Sequence, residues 1–367
     1  MRRSTRLLVL NNYPLDAVWD EVKRGEKPDH HLYGINHLER LGYEIRIISG
    51  DDARGVAALA RGLRRVRNPI PLGALERQSA AWRILQEGDV IYAPCGDEVN
   101  SLACLRALGI LKTPLLALQH HALNRGRLAW AREPFLRLMV RGLDACPALS
   151  QCAAQEINLR RAPNQHRSVA LPWGPDAAFY PQAQGPGHGF LAAGRTGRDF
   201  ATFGLAASQA GVAAHIIGLP GPWLQVSSQF SGKVRVQVPA GDRVFGYPEM
   251  MAAHLSVRAI AIPLEDSRVS LAGLTSLVDA LAIGRPVIMT RNRFIDLDIE
   301  AEGIGRWVAP GDVAGWADAL RWFDCNPDAS QLMGQRARAL VDGSNWNSLA
   351  FARRIEGLLA GMSRNAT

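Results

Sequence analysis

The sequence is poor in lysine, which supplies only four of its 42 basic residues; with 34 acidic residues the net charge is +8. Most of the positive charge is therefore guanidinium, whose planar fork matches phosphate oxygens. Codon usage in a GC-rich genome is the competing reading of that bias. The balance favours an anionic ligand or surface without identifying one. Five cysteines, Cys95, Cys104, Cys146, Cys152 and Cys325, form no C-x-x-C pair, and their number is odd. Neither a disulfide framework nor a zinc site is expected, and reduced thiols fit a cytoplasmic protein. No apolar run approaches the roughly 20 residues of a membrane span. The opening MRRSTRLLVL holds only four consecutive apolar residues, too few for a signal peptide. There are no internal repeats and no low-complexity tail. No G-x-G-x-x-G follows the first apolar run, which leads instead into Asn11-Asn12-Tyr13-Pro14; this argues against a nicotinamide oxidoreductase.

What is present suits two globular domains: 367 residues, 47% hydrophobic and 21% charged. Short apolar runs alternate with helical patterns. Strands are expected at 6–10, 43–49, 88–94, 114–119 and near 145–150. Helices are expected at 30–42, 51–67, 71–86, 98–108 and 133–142. This order implies βαβ units and a parallel sheet covered on both faces. The segment 169–189 has four prolines and four glycines and no apolar period, so it reads as a linker. Alternation then restarts, with strands at 189–194, 214–218, 234–238, 259–264 and 286–290. Helices are expected from Asp199, around Pro248–Ser256 and over Leu274–Ile283, then near 313–325, 328–342 and 346–361. The expected organisation is an N-terminal domain over 1–170, a linker over 171–188, a C-terminal domain over 189–345 and a closing helix over 346–367. Ligands of open parallel sheets bind at the carboxyl ends of the strands.

The stretch 270–323 resembles the donor-binding half of family 4 glycosyltransferases. The resemblance is carried by Asp279-Ala280-Leu281-Ala282-Ile283-Gly284-Arg285-Pro286-Val287, by Gly303-x-Gly305 before a strand, and by Pro310-Gly311-Asp312 before a helix. The closing stretch 344–359, the linker segment LPWGPDAAFYP (171–181) and the loop in GFLAAGRTGRDF (189–200) resemble the family in the same order. It covers roughly 170–360 and is weak before 110. It implies the α/β GT-B architecture, two Rossmann-like parallel-sheet domains facing a cleft. The implied reaction moves a sugar from a nucleoside-diphosphate sugar to a hydroxyl acceptor. Configuration is retained, and neither metal nor cofactor takes part beyond the nucleotide-sugar cosubstrate. The acceptor class stays open among sugars, lipid-linked acceptors and small molecules, and nucleic acid is not an expected partner. A nucleotide-sugar 2-epimerase on the same fold, or a binding protein without catalysis, are the competing readings.

Chemically, loss of a nucleoside diphosphate puts negative charge on phosphate and positive charge on the sugar ring. Preorganised cations and amide donors are what such a step needs. Gly194, Arg195 and Arg198 lie after a strand and at a helix start, where free amides carry about half a positive charge. The resemblance makes Arg195 the phosphate arginine and Arg198 a second basic contact. Gly273, Thr275 and Ser276 open another helix, with free amides and hydroxyls. Asp279 stands where the family usually has a Glu that accepts from ribose hydroxyls; it is shorter by about 1.5 Å. Leu271 stands where the family usually has a second Glu near the donor sugar, and Glu265 or Asp266 are the substitutes to consider. His120 and His121 follow the strand 114–119, where the family often has a histidine facing the donor. His120 is favoured because it directly follows the strand. Asp296-Leu297-Asp298 has the D-x-D form of a metal signature but is read as acidic residues early in a helix. The segment Asn11–Asp29 is read as a long loop with acceptor candidates Tyr13, Trp19 and Lys23. The helix 51–67 is basic and amphipathic. Such a helix can rest on the inner face of an anionic membrane, and equally can be the solvated face of a core helix.

Overall fold

A computed structural model describes residues 5–49, 70–123, 129–239, 246–265, 270–343 and 346–364. The helix expected over 51–67, and with it the membrane contact, lies outside the described residues, as does Asp266. The chain divides into two compact units. One comprises Met1–Gly25, Asp29–Trp173 and Ser348–Thr367, and the other Glu26–Pro28 and Gly174–Asn347.

The first unit is built on four parallel strands, β1 (Arg6–Val9), β2 (Glu44–Ile47), β3 (Val90–Ala93) and β4 (Leu115–Ala117), in the order β2-β1-β3-β4. β3 and β4 are buried along their whole length. That is why they read as continuous apolar runs, as strands covered on both faces do. At the start of β1 the Arg6 guanidinium grips buried Asp89 through bonds of 2.9 and 2.7 Å. The strand expected near 145–150 reduces to isolated bridges, Leu116 to Ala145 and Gln119 to Ala148. Pro147 has no N–H to offer a ladder there. Ser150 then caps the helix Gln151–Asn158 by accepting from the Ala153 amide at 3.2 Å.

Two expectations in this unit need correction. The stretch 30–42 is not one helix. It is a 3-10 turn, Asp29–Leu32, followed by a short helix, Ile35–Arg40. Tyr33 (φ 50°) and Gly34 (φ 85°) between them are left-handed, which a right-handed helix cannot absorb. A Cβ on Gly34 would lie 2.9 Å from that of Ala352 in the closing helix Ser348–Arg364, so the tight packing also demands glycine. Nor is 11–29 a long loop: Leu15–Lys23 is a helix that starts after Pro14 and buries Leu15 and Val18.

The second unit has six parallel strands: β5 (Phe190–Gly194), β6 (Ala214–Gly218), β7 (Val234–Gln237), β8 (Ala259–Ile262), β9 (Val287–Thr290) and β10 (Gly305–Val308). Their order, β7-β6-β5-β8-β9-β10, is the doubly wound 3-2-1-4-5-6 pattern. The strand order reverses between β5 and β8, which pair through Phe190–Ala259 and Ala192–Ala261. Helices Phe200–Ala210 and Val313–Cys325 pack together beneath the sheet, with Phe203 edge-on to the fully buried Trp316 at 5.8 Å. Their starts are capped by Asp199 and Asp312, which accept from Thr202 and Gly315 amides at 3.0 and 2.8 Å. The acidic residues at 296–298 do not begin a helix. Asp298 accepts from the Glu300 and Ala301 amides and from the Trp307 indole, a local turn that replaces helical bonding.

Candidate functional site

The site grows out of the carboxyl ends of β5, β6 and β8, at the point where the strand order reverses. β5 ends at Gly194, whose φ of +150° and proximity to Arg198 both favour glycine: a Cβ there would lie 2.4 Å from the Arg198 Nε. The loop that follows is pinned to the continuation of β8. The Asp199 amide donates to Pro263 O at 3.1 Å, the Glu265 amide to Gly197 O at 3.1 Å, and Arg198 bridges Leu264. The helix Leu274–Ile283 starts beside this loop. Gly273, at φ +89°, makes the turn into it, with room for no Cβ between Met289 Cε (2.8 Å) and Ile262 Cγ2 (2.9 Å). The Leu274 amide donates back to Leu271 O at 3.1 Å, whereas the Thr275 and Ser276 amides have no carbonyl a turn earlier to bond, so they are available to a ligand.

These pieces enclose a cavity of about 260 Å³. One side is polar: Gly194, Arg195, Thr275, Ser276 and Asp279. The other is largely apolar. It is formed by Ile217 and Leu219 at the end of β6, by Pro239 beyond β7, and by Met250 and Met251 on the helix Tyr247–Ser256. Tyr180, Tyr247 and His254 complete the wall.

Arg195 is exposed on this cavity, and among the described residues it has no hydrogen-bond or ion-pair partner. Arg198 behaves differently from expectation. It does not line the cavity but lies behind Gly194, donating from Nη2 to Ser276 Oγ (2.9 Å), from Nη1 to Thr196 O (3.0 Å) and from Nε to Ala193 O (3.3 Å). It thereby ties the loop to the second helix start. All three acceptors are neutral, and desolvation lowers the guanidinium pKa to about 10, still fully charged at neutral pH.

Asp279 sits one helical turn inside the cavity. Burial pushes its carboxyl up to about 7, opposed by a hydrogen bond that the Tyr180 hydroxyl donates to Oδ1 at 2.5 Å. Tyr180 and Tyr247 lie edge to face at 6.3 Å, each also packed on Phe179. Burial lowers the His254 pKa to about 4, so this imidazole is neutral. Leu271 is buried and offers no carboxylate. Glu265 is exposed in the pinned loop and does not line the cavity. Among the described residues no group of three or more His, Cys, Asp or Glu could hold a metal. Sequence reasoning missed Tyr180, Tyr247, Met250, Met251 and His254. Tyr180 lies in the segment read as linker, and Met250, Met251 and His254 lie on the helix expected around Pro248–Ser256, none of them read as a site residue.

In the first unit, His120 follows β4 as expected. Its Nε2 lies 2.7 Å from Pro94 O, which can only accept, so Nε2 carries the proton and Nδ1 is left as an acceptor. Burial lowers its pKa to about 4 against that bond, and Tyr33 packs on it at 5.2 Å. His121 points elsewhere, into a polar cavity of about 620 Å³ shared with Asn12, Arg77, Asp97, Glu98 and Arg132. Of the acceptor candidates, Tyr13 spends its hydroxyl on His31 O at 2.5 Å. Lys23 lies over the Trp19 ring at 5.4 Å, both on the helix Leu15–Lys23.

Two doubly wound parallel-sheet units in one chain, the second with a polar-and-apolar cavity at its switch point, define the GT-B class of fold. No protein-family model and no curated protein sequence matches the chain. Solved structures do. It is similar to HepE from Anabaena in complex with UDP, at 13% identity and TM-score 0.60 over 97% of this chain and 100% of that one. A glycosyltransferase from Rickettsia africae ESF-5 is similar at 13% identity and TM-score 0.63 over 100% of both chains. Sucrose-phosphate synthase from Thermosynechococcus elongatus is similar at 12% identity and TM-score 0.66 over 99% of this chain and 100% of that one. These likenesses establish the architecture.

Proposed function

We propose that the chain is a retaining, metal-independent glycosyltransferase that takes its sugar from a nucleoside-diphosphate donor and passes it to a hydroxyl acceptor. One observation carries the reading: a single cavity gathers an unpaired arginine, a helix start with two hydroxyls, an acidic side chain one turn on, and an apolar wall. Arg195, Thr275, Ser276 and the first-turn amides suit a diphosphate; Asp279 suits a ribose; Ile217, Leu219, Pro239 and the two methionines suit a base. As the glycosidic bond breaks, charge growing on the leaving phosphate meets donors already in place. Arg198, held behind Gly194, adds a second fixed positive charge. Such a cradle supplies the charge a divalent cation would otherwise bring, so activity should survive EDTA. His120 is assigned to the donor sugar, its bare Nδ1 able to accept from a sugar hydroxyl. Retention follows if the departing diphosphate stays on the face from which the acceptor attacks.

HepE has been crystallised with UDP and with UDP-glucose, which makes UDP the first probe. A thermal-shift panel of UDP, GDP, ADP and dTDP tests the reading. The cognate nucleotide at 100 times its Kd adds about 2.7 kcal/mol of stability. No shift with any of them removes the proposal. Buried Leu271, where the resemblance leads one to expect an acid, favours a second reading: a nucleotide-sugar binder without transfer. Binding with no sugar release in the presence of acceptors selects it. Isomerisation of the donor with no acceptor present would instead select the epimerase.

A further inference from the structure

The helix start that opens on the cavity is itself held from outside it. Three successive carbonyls lead into the helix, those of Ser270, Leu271 and Ala272. The middle one accepts from the Leu274 amide at 3.1 Å. The outer two accept from one side chain: Asn292 Nδ2 donates to Ser270 O at 3.0 Å and to Ala272 O at 3.2 Å. Asn292 lies just past the end of β9 and is only 5% exposed. Its Oδ1 accepts from the Phe294 amide at 3.0 Å, a bond to its own backbone two residues on that fixes the side chain. Both of its amide protons are thus spent on the approach to the helix. Among the described residues, no other side chain bonds the backbone of 270–273. Asn292 itself does not line the cavity.

We infer that Asn292 is a positioning residue for the diphosphate. By gripping the carbonyls on either side of Leu271, it sets the direction in which Gly273 hands the chain to the helix Leu274–Ile283. It thereby sets where the Thr275 and Ser276 amides point. This rests on the nucleotide-sugar reading and adds to it a residue that never touches the ligand. An N–H donates well only when it is aligned, and the bond weakens steeply as the angle closes. Without Asn292, Ser270 O and Ala272 O lose their donors, and a carbonyl left unmet away from water is costly. The peptides of the turn would rotate to find new partners. Gly273 has no side chain to resist that rotation, so the first helical N–H groups would swing with it. The rest of a nucleotide is met by other elements. Ile217, Leu219, Pro239, Met250 and Met251 come from elsewhere in the unit, and Asp279 lies a full turn further along the helix. Loss of Asn292 is therefore felt by the phosphates and not by the nucleoside.

The test is isothermal calorimetry on the full chain. The probes are whichever of UDP, GDP and ADP binds wild type tightest, and the matching nucleoside, the weaker ligand being read by displacement. Asn292→Ala should bind the diphosphate at least about tenfold more weakly, the effect of one lost hydrogen bond to a charged group, and the nucleoside within about twofold of wild type. A residue that only stabilises the fold would lower the unfolding midpoint and leave the ratio of the two affinities at its wild-type value. That outcome overturns the inference, as does equal weakening of nucleoside and diphosphate. Should Asn292→Ala fail to fold, Asn292→Ser decides by the same ratio, since a single hydroxyl proton can serve at most one of the two carbonyls. An unchanged ratio in that variant overturns the inference as well. If none of the three diphosphates binds wild type, the nucleotide-sugar reading itself fails, a result distinct from diphosphate binding that ignores Asn292.

Discussion

A guanidinium in open water gains little from a phosphate, because solvent competes for both charges. Arg195 is placed to do better. It stands on a partly enclosed cavity beside a helix start, and no ion pair among the described residues must be broken before it engages. Arg195→Ala should lower kcat by roughly 10²–10³, the range for losing one preorganised charge-stabilising donor. Initial rates with saturating donor check this, and an unchanged kcat takes Arg195 out of the mechanism. Asp279 carries a different signature. Burial has raised its carboxyl from 3.8 to about 7. A carboxyl whose folded pKa lies above its unfolded value binds its proton more tightly in the native state. Its contribution to stability is then fully present below pH 4 and is lost as pH rises towards 7. Asp279→Asn removes that dependence. Urea midpoints of the ligand-free proteins at pH 5 and pH 8 should show the variant gaining on wild type at the higher pH. A gap that does not change with pH would mean that the carboxyl titrates in its ordinary range.

At the scale of elements, the helix start at Gly273 is tightly constrained. Its left-handed backbone and its contacts with Met289 and Ile262 leave no space for a methyl group. Gly273→Ala combines a left-handed penalty of roughly 1–2 kcal/mol with overpacking of typically 1–3 kcal/mol. A fall of about 2–5 kcal/mol in unfolding free energy, with an unchanged denaturant slope, is the expected result. A loss below about 1 kcal/mol would mean that the turn relaxes freely. The same elements mark what could be read from the sequence. Gly194, Arg195, Thr275, Ser276 and Asp279 were legible because strand ends and helix starts are local features, and in a parallel sheet they all face one edge. Tyr180, Tyr247 and His254 were not. They reach the cavity through a linker and a helix whose approach to the sheet depends on tertiary packing. Arg198 was found, but its direction was misjudged: only the loop's pinning to Pro263 and Leu264 turns it behind Gly194. The break at Tyr33 was equally hidden, since nothing in its neighbourhood except Gly34 advertises a left-handed residue.

Across the whole molecule, the polar and apolar walls of the cavity come from one unit alone, from segments far apart in sequence: 180, 193–195, 217–219, 239, 247–254 and 275–279. Nucleotide binding should therefore leave a discontinuous footprint. Hydrogen exchange on the full chain, with the cognate nucleoside diphosphate at 100 times its Kd, is the suitable measurement. Amides that exchange only through opening of the site should slow by up to about 100-fold, equivalent to the 2.7 kcal/mol of ligand stabilisation. The strongest effect should fall on 194–198 and on the first turn of Leu274–Ile283, where amide N–H groups would donate to phosphate directly. Strands β9 and β10 lie beyond the switch point and supply no lining residue, so they serve as an internal reference. Protection confined to the polar cavity around His121, with none at 194–198 or 274–276, would place the nucleotide in the first unit and dissolve the assignment of the second as the donor-binding half.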